Sequence, residues 1–340
     1  MLTFSRRRIL AGSALAATGL AAVGLPALAR RAAAHHAGRD LVIGTRIIEV
    51  KGRAAKVFGL IERQAGHDAA RGILTMTAGE RLQLRLHNEC GEPALIHWHG
   101  LTPPNAQDGV PGVTQAMLPP GQSYDYDFPV ALPGTNWMHS HHSLQEQRLM
   151  AAPLIVRDPR EAGGDEQEIV IMLHDFTFRD PDEILAQLSH GMAHDHGAMG
   201  QNMSGQNMSG QNMSGVDPNM PGMDMNGMDM SGMDMGGMDL NDVAYDAFLA
   251  NDRTLDDPEV VRVEKGQRLR LRIINGAAAT NFMIDLGQLS GTLSDVDGRP
   301  IAPVAGSRFP LAIAQRADLR VSLPAGEGAW PILFQREGDA

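Results

Sequence analysis

From Leu41 onward, apolar and polar residues alternate in short bursts separated by glycine and proline. Leu41–Val50, Ala55–Ile61, Ile73–Met76, Arg81–Leu86 and Ala94–His99 are β-rich or alternate with period two, as the two faces of a strand require. Turn sequences stand between them: Ala78-Gly79-Glu80, Pro103-Pro104-Asn105, Pro119-Pro120-Gly121 and Leu132-Pro133-Gly134. Many short strands without a long helical period predict an all-β protein made of sandwiches. The first is expected to close near Pro153–Pro159; the second starts at Glu168–Phe176, is interrupted, and resumes near Val243.

One strand occurs twice. Gly79–Asn88 is echoed by Gly266–Asn275 at a single constant spacing, with Gly, Arg, Leu, Leu, Arg and Asn coinciding. Repetition of a strand with the turn that leads into it suggests two copies of one domain. A chance match between two alternating strands is the other reading.

The amino terminus reads as an address. Ser5-Arg6-Arg7-Arg8-Ile9-Leu10 leads into a small apolar run, Ala11–Leu25, followed by Ala27-Leu28-Ala29, which predicts a secretory signal over residues 1–29. The paired arginines resemble a twin-arginine signal, so the expected partner is the twin-arginine export machinery and the expected destination the periplasm. The rival reading, a membrane anchor, needs about 20 apolar residues, and no stable membrane insertion is expected.

Composition narrows the chemistry. The chain has 340 residues, 13 histidines, 20 methionines and one cysteine, so internal disulfides, zinc ribbons and iron–sulfur clusters are excluded. A net charge of −11 and 4% aromatic residues argue against nucleic acid as a partner. Metal chemistry must rest on histidine, methionine and carboxylate.

Most of the methionines fall in the interruption, about residues 190–240, where Gln-Asn-Met-Ser-Gly repeats from Gln201 to Gly215 and Met-Asp units follow. Such a composition predicts a disordered insertion. Thioether sulfur is a soft ligand suited to Cu(I). His194, His196, Met203, Met208, Met213, Met223, Met225, Met228, Met230, Met233 and Met235 are candidate Cu(I) ligands, with Asp224, Asp229, Asp234 and Asp239 supplying negative charge. The bland reading is a linker. His35 and His36 could join a copper clamp or belong to a floppy tail; His67, His87 and His174 have no partner spacing.

The strongest local signal is His97-Trp98-His99 together with His139-Ser140-His141. On a strand, residues i and i+2 share a face, so each pair aims two imidazoles into one space, and two such strands side by side would supply four metal ligands.

At these residues the chain resembles a family. His97-Trp98-His99-Gly100-Leu101, Asp108–Gln115, Pro119-Pro120-Gly121 and Gly134–His141 are similar to the amino-terminal half of multicopper oxidases. Gln145-Glu146-Gln147 and the Met-rich insertion resemble most the copper-resistance branch, which is periplasmic and exported by the twin-arginine route. The resemblance implies tandem cupredoxin-like Greek-key sandwiches and a trinuclear copper cluster that reduces dioxygen to water with electrons from Cu(I) or phenol-like donors. It implies that His97 ligates the type 2 copper and His99, His139 and His141 the type 3 pair. Asp108 takes the place of an acid near the cluster, a proton donor, with a plain Asp-Gly turn as the other reading. Trp98 is expected to pack between the ligands, and His142 to lie on the surface.

The family also carries a type 1 copper on Cys and two His, and further cluster ligands in a His-x-x-His-x-His and a His-Cys-His. No histidine follows His196, and Cys90 has no histidine beside it. Nine residues on from Asn88 stands His97, whereas nine on from Asn275 stands Ile284, as in a copper-free middle domain. The expected organisation is a leader at 1–29, one sandwich at 40–160 and another at 165–340 carrying the 190–240 insertion. A third, type 1 copper domain is expected to be absent, leaving the trinuclear site incomplete and the chain weakly active or inactive alone. The rival function is a non-enzymatic periplasmic copper-sequestering protein. A two-domain nitrite-reductase-like enzyme is disfavoured because its type 1 cysteine is missing.

Overall fold

The computed structural model describes residues 38–64, 67–68, 72–189 and 243–338. The leader, His35 and His36, and the insertion with His194, His196 and its candidate methionines lie outside the described residues.

The first sandwich is built from β1 (Arg39–Val50), β2 (Arg53–Gln64), β3 (His67–Asp68), β4 (Leu74–Thr77), β5 (Arg81–Asn88), β6 (His97–His99), β7 (Ser123–Pro129), β8 (Gly134–His139) and β9 (Ala151–Arg157). They form two sheets, in the orders β3-β2-β1-β5-β7 and β4-β9-β8-β6. The crossovers that make β1 parallel to β5, and β4 parallel to β9, give a Greek-key rather than a meander. Alternation along β5 sends Leu82, Leu84 and Leu86 inward, where they meet Leu41, Ile43, Trp98, Tyr126, Phe128, Met138 and Leu154 between the sheets. Each such side chain contributes about 1.5–3 kcal/mol by leaving water.

The second sandwich comprises β10 (Glu166–Phe176), β11 (Ala247–Ala250), β12 (Arg268–Asn275), β13 (Phe282–Asp285), β14 (Gly291–Val296), β15 (Arg299–Gly306), β16 (Arg308–Leu311), β17 (Arg316–Ser322) and β18 (Leu333–Arg336). Its sheets run β11-β10-β12-β17-β14-β15 and β16-β13-β18 around a core that includes Leu271, Ile273, Ile284, Phe309 and Leu319. One short helix, over 181–189, follows β10, and among the described residues no helix is long and apolar enough to cross a membrane.

Two apolar clusters join the sandwiches. Ile48, Val50, Ala55 and Val57 of β1 and β2 pack with Phe176, Ala247 and Leu249, and Trp137 and Ala151 pack with Met172 and Ile274. Between them lies a charged seam. Asp318 accepts from Arg270, Arg272 and the Thr135 hydroxyl, and Glu168 binds Arg272 on one side and Arg157 on the other.

Two strand expectations need correction. The run Ala94–His99 is a strand only over His97–His99, because Ala94 makes an isolated bridge with Leu118 and Leu95 and Ile96 have no ladder. The second His-x-His is not wholly on a strand either: β8 ends at His139, and Ser140 turns the chain by donating to Gln145 Oε1 while accepting from the His142 N–H.

Candidate metal centre

β6 lies antiparallel to β8, with His97 opposite His139 and His99 opposite Trp137. Period two puts His97 and His99 on one face, and the turn after β8 folds His141 back toward them. The ring of His97 is centred 5.8 Å from that of His99, 5.7 Å from His139 and 4.9 Å from His141. His139 is 5.4 Å from His99 and 4.7 Å from His141. The four candidate imidazoles therefore share one space at the edge of the first sandwich.

Their second nitrogens decide which atoms face that space. His97 Nδ1 lies 2.8 Å from the Asp108 carbonyl oxygen, which can only accept, so Nδ1 carries the proton and Nε2 keeps its lone pair. His139 Nδ1 is held in the same way by the Ser140 carbonyl at 3.2 Å and Glu146 Oε2 at 3.1 Å. Oxygen acceptors behind ligand imidazoles orient the ring and raise its basicity. His139 Nε2 then meets His99 Nδ1 at 3.2 Å. Two ring nitrogens this close would be able to serve one metal ion together.

Electrostatics favour the neutral form at two of the four imidazoles. His99 is pushed down to about 3, first by burial, then by the Arg316 guanidinium and the neighbouring imidazoles. His141 is lowered as well, by burial and by His139 and His97. A neutral imidazole is the form that ligates.

Neutral imidazoles are a donor set that suits copper. Among the described residues no group of three or more His, Cys, Asp or Glu side chains is placed to hold one metal ion.

Glycine shapes the rim at two positions. Gly100 (φ 95°) directly follows His99, and a side chain there would stand 2.3 Å from Asn136 Oδ1 and 2.8 Å from an Arg316 terminal nitrogen. Gly109 (φ 80°) would drive a Cβ to 1.7 Å from the Ile96 carbonyl oxygen and so lift the Asp108 loop off His97.

Asp108 closes a short 3₁₀ turn, Asn105–Gln107, and its carboxylate oxygen lies 3.4 Å from His97 Nδ1, so the Asp-Gly turn and the position beside the cluster coexist. Trp98 does not pack between the ligands. The same alternation that pairs His97 with His99 sends it to the opposite face, into the core against Tyr126 and Phe128. The indole on the candidate imidazoles is Trp137, stacked at 4.1 Å and 14° on His139 and at 4.9 Å and 24° on His99. Trp137 and His139 are two residues apart on β8, so strand alternation could have found it. Glu146 stands in the Gln145-Glu146-Gln147 run, but its role does not follow from that run, because it reaches back across a turn to His139; Arg316 comes from the other sandwich and has no local signal.

Cys90 sits away from this site. Its thiol donates to Asn88 Oδ1 and the Glu92 carbonyl, and burial pushes it up. His87 bridges Asp40 and Ser123 on the outer sheet face; His142 is half-buried, and its backbone N–H closes the Ser140 turn.

Comparison with known proteins places this geometry. Two sequence models, both described as multicopper oxidase, match residues 70–161 and 167–339. Multicopper oxidase MmcO of Mycobacterium tuberculosis is 32% identical over 279 residues, 78% of this chain and 48% of the relative. Copper resistance protein A of Escherichia coli is 30% identical over 304 residues, 87% of this chain and 47% of that protein. The chain spans about half the length of the curated relatives it matches. Among solved structures, Fet3p, a multicopper oxidase that functions in iron import, aligns with a TM-score of 0.63 at 18% identity over 88% of this chain and 48% of its own. A multicopper oxidase from Pseudomonas thermotolerans aligns with a TM-score of 0.62 at 24% identity over 86% and 59%. These structures share the cupredoxin-like tandem of sandwiches.

Proposed function

Because the chain belongs to the multicopper oxidase family, we propose that its first sandwich holds copper for the reduction of dioxygen to water by electrons from Cu(I) or a phenol-like donor. The observation that carries this reading is the four-imidazole cluster, with His97 and His139 each fixed from behind by an oxygen acceptor. His97 takes the type 2 position, and His99, His139 and His141 take the type 3 positions. Bound copper would supply the one-electron redox steps.

The chain's own residues do the rest. Asp108 and Glu146 lock the ring orientations of His97 and His139, and Trp137, 1% exposed, presses on His99 and His139 and keeps water from that side. The Asp108 side chain, 3.4 Å from His97 Nδ1, stands where a proton donor to dioxygen reduction would be needed. On this reading the protein is periplasmic, which similarity to the copper resistance proteins supports; it leaves by the twin-arginine route through residues 1–29, and its 190–240 insertion collects Cu(I), both read from the sequence.

A second reading has an observation of its own. The chain's one cysteine is tied into the first core by Asn88 and Glu92, leaving no thiolate beside the histidines for a type 1 copper. On that reading the chain by itself sequesters copper with little or no turnover.

The test is copper content after reconstitution and chelator challenge. His139→Ala should lose cluster copper, and Glu146→Gln should bind it about 10- to 100-fold more weakly. Equal copper in wild type and His139→Ala overturns the site assignment. Oxygen uptake by the loaded chain with a phenol-like donor then separates the readings: sustained uptake supports the oxidase, and its absence supports sequestration.

A further inference from the structure

The two histidine motifs reach the cluster from separate stretches of chain. His97 follows the turn at Glu92-Pro93, and His141 stands in the turn after β8. Strand pairing fixes His97 against His139, but it does not extend to His141, which lies past the end of β8 and is exposed. Another contact must hold the His141 ring at 4.9 Å from that of His97.

The turn that carries His141 does not support itself. Ser143 and Leu149 lie in it at φ 48° and 64°, in the left-handed region that residues with a Cβ avoid. Such backbone persists only where the surroundings over-determine it. Gln145, 1% exposed, is the side chain at the centre of those surroundings. Its Oε1 accepts the Ser140 hydroxyl at 2.7 Å, and the same hydroxyl accepts the His142 N–H at 2.9 Å. The Ser140 N–H donates to the Met150 carbonyl, so the backbone is tied on both sides of His141. Gln145 Nε2 points the other way and donates to Glu92 Oε1 at 2.6 Å and to the Pro93 carbonyl at 3.0 Å. The amide has one possible orientation, because a flip would set its oxygen against two groups that only accept. Glu92 is anchored in turn, its carbonyl accepting from Asn88 Nδ2 at the end of β5.

We propose that Gln145 is a positioning residue for the cluster: it ties the turn leading into His97 to the turn carrying His141, and so sets the gap between the two motifs. The proposal rests on the reading of the four imidazoles as copper ligands. Glu146 bonds to a ring nitrogen of His139, whereas Gln145 touches no ring and acts on His141 through Ser140. Two consecutive residues of one turn thus divide the task, one orienting a ring and the other spacing the motifs.

The experiment reads the gap directly. In the full chain without metal, labelled at histidine and tryptophan, NMR detects ring-proton contact between His97 and His141, with the Trp137–His139 contact on β8 as internal standard. Gln145→Met keeps length and burial but neither donates nor accepts as the amide does, so it should lose the first contact and keep the second. Ser140→Ala should do the same. Glu92→Gln leaves an acceptor for the amide and should match wild type. The same variants, loaded with Cu(II) and challenged with nitrilotriacetate, should follow the contact: Gln145→Met releases copper at about tenfold lower chelator concentration, and Glu92→Gln does not. A His97–His141 contact that survives in Gln145→Met overturns the proposal, and so does its loss in Glu92→Gln, which would trace the effect to general destabilisation. If Gln145→Met loses both contacts by failing to fold, Ser140→Ala decides, and a surviving contact there overturns the proposal. A wild type that binds no copper while the contacts behave as expected refutes the copper reading and leaves the clamp standing.

Discussion

Strands β5 and β12 are the same strand set in two surroundings. Each follows a turn with glycine at positive φ, Gly79 or Gly266, and each sends alternate aliphatic side chains into its own core. Each ends in a fully buried asparagine whose Nδ2 donates to two backbone carbonyls, those of Glu92 and Leu118 for Asn88 and those of Thr280 and Leu311 for Asn275. In both, Oδ1 accepts the N–H two residues on. Each also pairs an arginine with an aspartate directly across the antiparallel neighbour, Arg85 with Asp125 and Arg272 with Asp318. The inner faces match, but the outer faces do not. Arg85 and Asp125 are 34% and 54% exposed, while Arg272 and Asp318 are each 1% exposed under the first sandwich. The repeat thus supplies a scaffold, and what each copy packs against decides what the scaffold does. In the first copy the strand after the asparagine opens at the sheet edge with His97. In the second, the equivalent Ile284 sits in the central strand of a three-stranded sheet, fully buried.

The aspartate pair should show the largest contrast. Burial pushes the Asp318 carboxyl up, against the pull of Arg272, Arg270 and the Thr135 hydroxyl. Asp318→Ala would leave two buried guanidiniums short of a partner and should cost about 3–5 kcal/mol. Asp125→Ala removes an exposed pair and should cost less than about 1 kcal/mol. Urea melts of the two variants measure both; equal losses would mean that burial does not distinguish the copies.

The asparagines should show no contrast at all. Asn88→Ala and Asn275→Ala each abolish three hydrogen bonds to backbone groups, and Asn88→Ala also a weak one from the Cys90 thiol, so each should cost about 2–3 kcal/mol. A difference between them larger than about 1 kcal/mol would mean that the two clamps are not equivalent.

This comparison also marks how far sequence reading reaches. The sandwich class, the repeated strand and the His-x-His pair on β6 rest on period-two alternation within a few residues, which is visible locally. The coinciding arginine and asparagine could be seen, but their jobs could not, because Asp318 and Leu311 lie far along the chain. Trp98 stands between the two histidines in sequence, but alternation sends it to the core. Glu146 and Arg316 reach the cluster through a turn and across a domain joint, contacts that no spacing encodes. His174 has no partner spacing, and its burial depends on a sandwich whose position only the fold supplies.

A smaller effect than at either asparagine is expected in the same charged seam. Glu168 binds Arg272 in the second sandwich and Arg157 at the end of the first. Burial pushes its carboxyl up, but Arg272 and then Arg157 outweigh burial and hold it below the usual glutamate value of 4.5. A carboxyl lowered on folding stabilises the native state fully above its unfolded value, and that stabilisation is lost as pH falls through the folded one. Glu168→Gln should therefore lower stability by about 1 kcal/mol at pH 7. It should also flatten the fall below pH 4.5, so that the variant and the wild type converge in acid. Chemical denaturation at a series of pH values reads both slopes, and a Glu168→Gln curve that runs parallel to wild type through the acid range would show that this carboxylate does not couple the two sandwiches.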